Sequence, residues 1–520
     1  MDKPIGSVVV VGGGTAGWLT AARIAARHGP DSERPVTVTL IESPNIATIG
    51  VGEGTWPTLR ETLEAIGVSE ADFVRDCNAA FKQGGKFVSW VHDDPGEFYY
   101  HPFNLPQGHG AIGLAPYWDA RRREQPTAFA DAVDYQARLC EAGLAPKKLT
   151  TPEYRAVSNY AYHLNADRFG VFLKEHCVGK LGVAHVLDDV TEVNCDEGGY
   201  IDSLSTARSG TLAGDLFVDC TGFRSVLLGQ KLGVGLRSHQ DVLFVDNALV
   251  VQVPYDDADA PVACQTIGTA QKAGWVFDIG LQSRRGVGYI YSSAHTDHDG
   301  AQAALHRYVE TIAPGRSADL SYRRIPIQNG YRETFWKNNC VAIGLSAGFL
   351  EPLEASAIML IETAAKLVAE RLPANRAVMA PLARAFNETF HQRWARIIDF
   401  LKLHYALTKR EDSAFWRDNR RPESIPDSLQ QMLEVWRYLP PSELDFLTTS
   451  DVFPAASYQY VLLGMQYDVD YRGGVGGRQA LATARRYFAR NEQALARATA
   501  ELPSHRALLT AVCEHGLQPI

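Results

Sequence analysis

The chain opens on an apolar run, Ser7-Val-Val-Val-Val11, which breaks at Gly12-Gly13-Gly14 and passes into an alanine-rich stretch from Trp18 to Arg27. A second β-branched run, Val36-Thr-Val-Thr-Leu-Ile41, then ends in Glu42. A short, uninterrupted apolar run bounded by glycines predicts a strand buried on both faces. Strand, glycine turn, helix and strand in one stretch predict a βαβ unit. Glycine-punctuated strand patterns continue to about residue 365, interrupted at 96–155 by a proline-rich, charged segment. Beyond that the period changes. Phe386, Phe390, Trp394, Ile397 and Leu401 recur at intervals of three and four, the apolar face of a long helix. Two runs predict loops: Gly473-Gly-Val-Gly-Gly477, which follows no strand, and His295-Thr-Asp-His-Asp299, a polar run ahead of Gly300.

The first turn carries chemistry. Gly12 permits the tight turn, Gly14 lets backbone approach a pyrophosphate, and Gly17 lets helix and strand pack closely. Thr15 and Ala16 open the helix whose N–H groups would meet the phosphates. Glu42 stands where an acid accepts ribose hydroxyls. The spacing predicts one dinucleotide site and does not choose between FAD and NAD. The strand and turn Gly214-Asp-Leu-Phe-Val-Asp-Cys-Thr-Gly-Phe-Arg224 resemble those that FAD monooxygenases of the glutathione-reductase type hold near the cofactor, which favours flavin.

Composition narrows the partners. The chain has 520 residues, 46% hydrophobic and 21% charged, as in an ordinary folded protein. With 51 Lys+Arg against 60 Asp+Glu its net charge of −9 recruits neither nucleic acid nor an anionic membrane. Eight scattered cysteines without a CxxC pair argue against a zinc ribbon or disulfide scaffold and fit a reducing cytoplasm. No metal site is expected: the 295–299 run lacks a third ligand at a suitable spacing. Gly-x-Ser-x-Gly is absent, so Ser346 does not read as a hydrolase nucleophile.

Six segments in order, Thr48-Ile-Gly-Val-Gly-Glu-Gly-Thr-Trp-Pro57, Asn78–Phe87, Tyr100-His-Pro-Phe103, Gly274-Trp-Val-Phe-Asp-Ile-Gly280, Ser283–Tyr289 and Gly344–Ile358, resemble the flavin-dependent tryptophan halogenases. The resemblance implies an α/β fold. A Rossmann-like FAD-binding module of the glutathione-reductase/flavin monooxygenase type (1–95 and 156–365) would be joined to a mainly helical substrate-side module (96–155 and 366–520). It implies FADH2 from a separate NAD(P)H-dependent reductase, oxygen, and chloride or bromide. These would generate a hypohalous acid that halogenates an indole-type substrate. Oligomeric state, a homodimer included, is left open.

Carried over by position, Lys82 of Ala-Phe-Lys-Gln is the family's lysine, which polarises or traps the halogen, and Glu354 is its glutamate, which takes the ring proton or stabilises the cation. Pro352 is expected at a helix start, with Glu354 capping the helix. Ser356 and Ala357 are the expected halide site. Ile49, Gly52, Gly54, Val190, Leu345 and Ile358 are expected on the flavin together with the first glycine turn. His101, Phe103, Trp275 and Tyr458 are expected on the substrate side. Lys86 matches nothing and is expected at the surface.

Three departures matter. Glu354-Ala355-Ser356-Ala357 replaces the family's Glu-Ser-Thr-Gly, so a glycine-dependent angle is expected to be strained at Ala357. The segment Trp275–Gly280 lacks the second tryptophan and the proline of WxWxIP, which keeps an aromatic monooxygenase in play beside the halogenase and a catalytically silent flavin-binding protein. Tryptophan-accepting members clamp the amino acid with a C-terminal loop of tyrosines, an acid and a tryptophan. Here the stretch Asp451–Met465 offers Tyr458 and Tyr460 but no tryptophan or glutamate, and the last tryptophan is Trp436. Free indole, or an indole without the amino-acid head, is therefore expected to be preferred.

Overall fold

The computed structural model of the chain describes residues 4–46, 52–446 and 452–519. They divide into two compact units: Met1–Ala79, Leu164–His239 and Gln328–Trp394 form the first, and Ala80–His163, Gln240–Ile327 and Ala395–Ile520 form the second. The boundaries differ from the expected ones. Residues 80–95, 156–163 and 240–327 join the second unit, and 366–394 the first. The cause is strand pairing between distant segments, which local patterning does not display.

The first unit is built on a six-stranded sheet in the order Trp336–Lys337, Cys340–Ala342, Leu216–Asp219, Ser7–Val11, Thr37–Glu42, Ala184–Leu187. The strand Ser7–Val11 pairs in parallel with Leu216–Asp219 on one side and Thr37–Glu42 on the other. Its valines are buried because helices cover the sheet. The helix Thr15–His28 buries Trp18, Leu19, Ala21, Ala22 and Ile24 and packs against a second helix, Ser356–Glu370.

One buried acid lies inside this second helix. Glu362 is 3% exposed and accepts hydrogen bonds from Thr62 Oγ1 at 2.6 Å and Thr58 Oγ1 at 3.3 Å. Burial outweighs those bonds and pushes its carboxyl up to about 8. The folded chain therefore holds this proton up to pH 8, whereas the unfolded chain releases it near 4.5. Stability from this group is complete below pH 4.5 and is lost as pH rises towards 8, by an amount on the order of a few kcal/mol. Glu362→Gln should melt higher than the parent at pH 8 and by much less at pH 5. An equal difference at both pH values in thermal melts would count against this.

The second unit carries a seven-stranded sheet in the order Tyr322–Pro326, Asn247–Pro254, Arg284–Tyr291, Gly274–Gly280, Thr266–Gln271, Gly84–Val88, Phe98–Pro102. All neighbours are antiparallel except Gly84–Val88 with Thr266–Gln271. One face, with Leu249, Val251, Val276, Val287 and Tyr289, packs on the helix His298–Ile312 through Ala301, Leu305 and Val309. The run expected as a solvated loop thus starts a helix: Asp297 caps it by accepting from Gly300 N at 2.8 Å. His295 is held by Ser292 and Asp418.

Among the described residues no strand follows Gly348–Phe349. The long helix is Met379–Ala406, with Phe386, Phe390, Trp394, Ile397 and Leu401 all buried. The stretch expected as a C-terminal loop contains a further helix, Ala455–Gly464. The Gly473–Gly477 run is an exposed turn, as expected. All eight cysteines are free thiols. Cys77, Cys140, Cys177, Cys220, Cys264 and Cys340 are buried, and Cys195 and Cys513 partly exposed. No helix among the described residues is long and apolar enough to cross a membrane.

Candidate active site

The glycine turn lies at the carboxyl end of the strand Ser7–Val11. Gly12 has φ +118° and donates its N–H to Ile41 O at 2.8 Å. A Cβ there would sit 2.2 Å from Cys220 O, so the turn after Leu216–Asp219 is pressed against it. That second turn is organised by buried Asp219, whose carboxylate accepts from the amides of Thr221, Leu227 and Leu228. A Cβ on Gly17 would meet Gly12 O at 1.8 Å. Gly14 is different: its backbone is extended and a Cβ would meet nothing within 4 Å. It is the N-cap of the helix, and the first-turn amides, which have no partner inside a helix, follow it.

Glu42 ends the next parallel strand beside this turn. Its Oε1 accepts from Lys174 Nζ and His185 Nε2, both at 2.8 Å, while Oε2 lies where a Cβ on Gly13 would be. Asn45 then donates to Asp189, which places Val190, the start of the strand Val190–Cys195, at the same end of the unit. Gly344, at φ +75°, turns against Ala16, with Ile361 nearby, which brings Leu345 to the same helix start. Gly54 is buried and Gly52 partly so, Ile358 is buried on the helix Ser356–Glu370, and Ile49 lies outside the described residues. An open space bounded by a bare glycine, helix amides and a fixed carboxylate suits a dinucleotide's pyrophosphate and ribose.

Glu354 is 7% exposed. It is not the helix's N-cap residue, contrary to expectation, and Pro352 is not a first helical residue. The helix begins at Ser356, and its N-cap, Ala355, makes no side-chain cap bond. Trp56 Nε1 instead fixes the segment by donating to Glu354 O at 2.7 Å, and Asn329 Oδ1 accepts from Glu351 N. The backbone angle expected to strain Ala357 falls two residues earlier: Ala355 takes φ +53°, ψ +40°, whereas Ala357 is helical. A left-handed alanine costs about 1 kcal/mol. Ser356 and Ala357 present the first amides of this helix.

Lys82 ends the strand Ala80–Lys82 of the second unit, every residue of which is buried. The strand pairs antiparallel with Ala161–Leu164, Lys82 facing Ala161. At 4% exposure Lys82 sets its ammonium 5.3 Å from the centre of the Phe103 ring. Phe103 is therefore the expected substrate-side residue that the structure brings to Lys82. His101 Nε2 lies 2.8 Å from Ser457 Oγ, with Phe400 and Tyr460 beside its ring. Tyr458 is fully buried among Phe400, Trp436, Phe446 and Phe453, and Trp275 against Trp90 and Phe277. Lys86 is half-buried on Phe98 and paired with Glu141, rather than free at the surface.

Two histidines near Lys82 have no signature in the sequence. His163 Nε2 lies 2.8 Å from Thr266 Oγ1, and burial, with the charge of Lys82, holds the ring well below its usual pKa. His505 Nε2 lies 3.0 Å from Phe81 N, and burial holds it at about 4. Among the described residues no cluster of three or more His, Cys, Asp or Glu is arranged to hold a metal ion.

The family model for tryptophan halogenases matches residues 7–472. The chain belongs to the tryptophan halogenase family. It is similar to the tryptophan 6-halogenase SttH of Streptomyces toxytricini, 36% identical over 500 residues that cover 92% of this chain and 91% of that protein. The crystal structure of the tryptophan halogenase of Shewanella frigidimarina superposes with a TM-score of 0.96 at 47% identity, covering 100% and 99% of the two chains. BrvH, a flavin-dependent halogenase from Brevundimonas, superposes at 0.84 with 33% identity, covering 98% and 99%. This tryptophan halogenase family member is thus an oxidoreductase of the flavin-dependent halogenases, with FADH2 and a halide as its cofactors. Its fold is the expected α/β one. The monooxygenase alternative is not favoured.

Proposed function

We propose that the enzyme halogenates the ring of an indole-type substrate, with Lys82 delivering the halogen. The reading rests on one observation: a lysine matching the family's position is buried at the end of a strand and faces an aromatic ring. Bound reduced FAD, with oxygen and halide, supplies hypohalous acid. Gly12, Gly14, Thr15, Ala16, Gly17 and Glu42 hold the dinucleotide, and Ser356 and Ala357 offer amides to the halide. Lys82 either donates a hydrogen bond that polarises the hypohalous acid or traps its halogen on nitrogen. The ring forms its carbon–halogen bond and loses a proton, for which Glu354 is the acceptor, and water is the second product.

The substrate side favours a neutral indole. A zwitterion without partners for its charged ends is penalised by several kcal/mol of unmatched desolvation, whereas free indole has none to lose. With a reductase, FAD, NADH and chloride or bromide, equal concentrations of indole and L-tryptophan should give mostly halogenated indole by mass spectrometry. Tryptophan taking most of the halogen would overturn this preference. The reductase is a separate NAD(P)H-dependent protein, and the setting is cytoplasmic. Mixed with NADH alone, the purified enzyme should leave FAD oxidised, and rapid bleaching of the flavin absorbance would point to a self-sufficient enzyme.

A further inference from the structure

The strand that carries Lys82 pairs on one side with Ala161–Leu164. Its other edge faces outward from that pairing, and successive N–H groups of a strand alternate between its two edges. Phe81 and Gln83, two residues apart, point their N–H groups to the same edge. Gln83 N donates to Cys264 O at 2.7 Å, a backbone rung. Phe81 N has no backbone rung there and donates instead to the imidazole of His505, at 3.0 Å from Nε2. The other ring nitrogen, Nδ1, lies 3.0 Å from Val262 O. An acceptor at Nε2 leaves the proton on Nδ1, so the ring is neutral and donates to Val262. His505 thus spans the gap between Phe81 and Val262 as an inserted rung, one residue before Lys82. It is 1% exposed.

The geometry points to His505 as a positioning residue: its neutral imidazole fixes the peptide before Lys82, and through it the direction of the lysine stem. This rests on the reading that Lys82 delivers the halogen. The ring does no chemistry itself. A small misplacement of a delivering group costs orders of magnitude in the reaction it serves, and hypohalous acid that is not captured escapes to solvent.

The test uses two substitutions that separate the two bonds. Asparagine places its amide near Nδ1 and keeps a donor for Val262 but cannot reach Phe81. Glutamine places its carbonyl near Nε2 and keeps the acceptor for Phe81. In the reductase-coupled enzyme, product per oxygen consumed is read beside free hypohalous acid, captured by a β-diketone dye. His505→Asn should lose about tenfold in product per oxygen, with leaked oxidant rising to match, while its melting temperature and FAD binding stay close to the parent. In hydrogen exchange its Phe81 amide should open at least about tenfold faster. His505→Gln should restore both readouts to within about threefold.

Undiminished product per oxygen in His505→Asn overturns the proposal, and so does equal loss in a folded His505→Gln. Should the asparagine variant fail to fold, the glutamine variant decides alone. Retained coupling with a protected Phe81 amide upholds the proposal, and lost coupling in a folded glutamine variant overturns it. Lys82→Ala run in parallel separates the two readings. Product retained there removes the Lys82 reading and His505's role with it, whereas product abolished there but kept in His505→Asn removes His505 alone.

Discussion

Lys82→Ala is expected to lower the yield of halogenated indole at least about a hundredfold. Oxygen-dependent reoxidation of the flavin should continue. The separation follows from where the residue acts. The glycine turns Gly12–Gly17 and Asp219–Gly222 belong to one compact unit, and Lys82 belongs to the other. Lys82 lies on a strand whose three residues are all buried, and it touches Phe103. Alanine keeps strand geometry and removes only the stem and ammonium, so neither the strand pairing with Ala161 nor the flavin cradle is asked to change. On the proposed role, hypohalous acid should still form and then reach no group able to present it to a ring. Reductase-coupled oxygen uptake and product mass spectrometry on one sample check this. Near-parental product would show that the halogen needs no lysine, and comparable loss of oxygen uptake would place Lys82 earlier in the reaction.

The glycines of the first turn should split into two classes when each is changed to alanine. At Gly17 a methyl group would lie 1.8 Å from Gly12 O, a backbone atom that cannot move aside. Gly17→Ala should therefore lose several kcal/mol of stability, seen as a large fall in melting temperature and soluble yield. At Gly14 the same methyl meets no protein atom within 4 Å, and the backbone there is ordinary extended chain. Gly14→Ala should fold with a melting temperature near the parent's. Yet its methyl occupies the approach to the helix amides, so FAD affinity should fall about a hundredfold or more. Fluorescence titration with FAD and a thermal melt distinguish the two. A Gly14→Ala protein that binds FAD as well as the parent would mean that the pyrophosphate does not lie against this turn.

Local chemistry made the first unit's centre readable from the sequence. Gly12, Gly14 and Gly17 announce themselves by spacing, and Glu42 by its place at the end of the second strand. What holds Glu42 was not readable, because Lys174 and His185 come from a helix and a strand more than a hundred residues further on. The place of His505 is not legible for the same reason. Its two partners lie 424 and 243 residues away, and a histidine early in an amphipathic helix looks like any other. The start of the helix after Glu354 was misread because proline and glutamate are common in first turns, while the actual N-cap is an alanine in a conformation alanine seldom adopts. The two units part from the expected division where the strand Gly84–Val88 pairs with Thr266–Gln271, a match that no local period encodes.

An enzyme that generates an electrophilic halogen is exposed to its own reagent, and thiols are among the first groups such a reagent consumes. Six of the eight free cysteines here are buried and therefore shielded, with Cys264 contributing a carbonyl, not its sulfur, to the edge of the Lys82 strand. Cys195 and Cys513 keep partial exposure. The working life of the catalyst, counted in turnovers rather than hours, is then set by how much oxidant strays, and these two sulfurs are where the first permanent damage would be written.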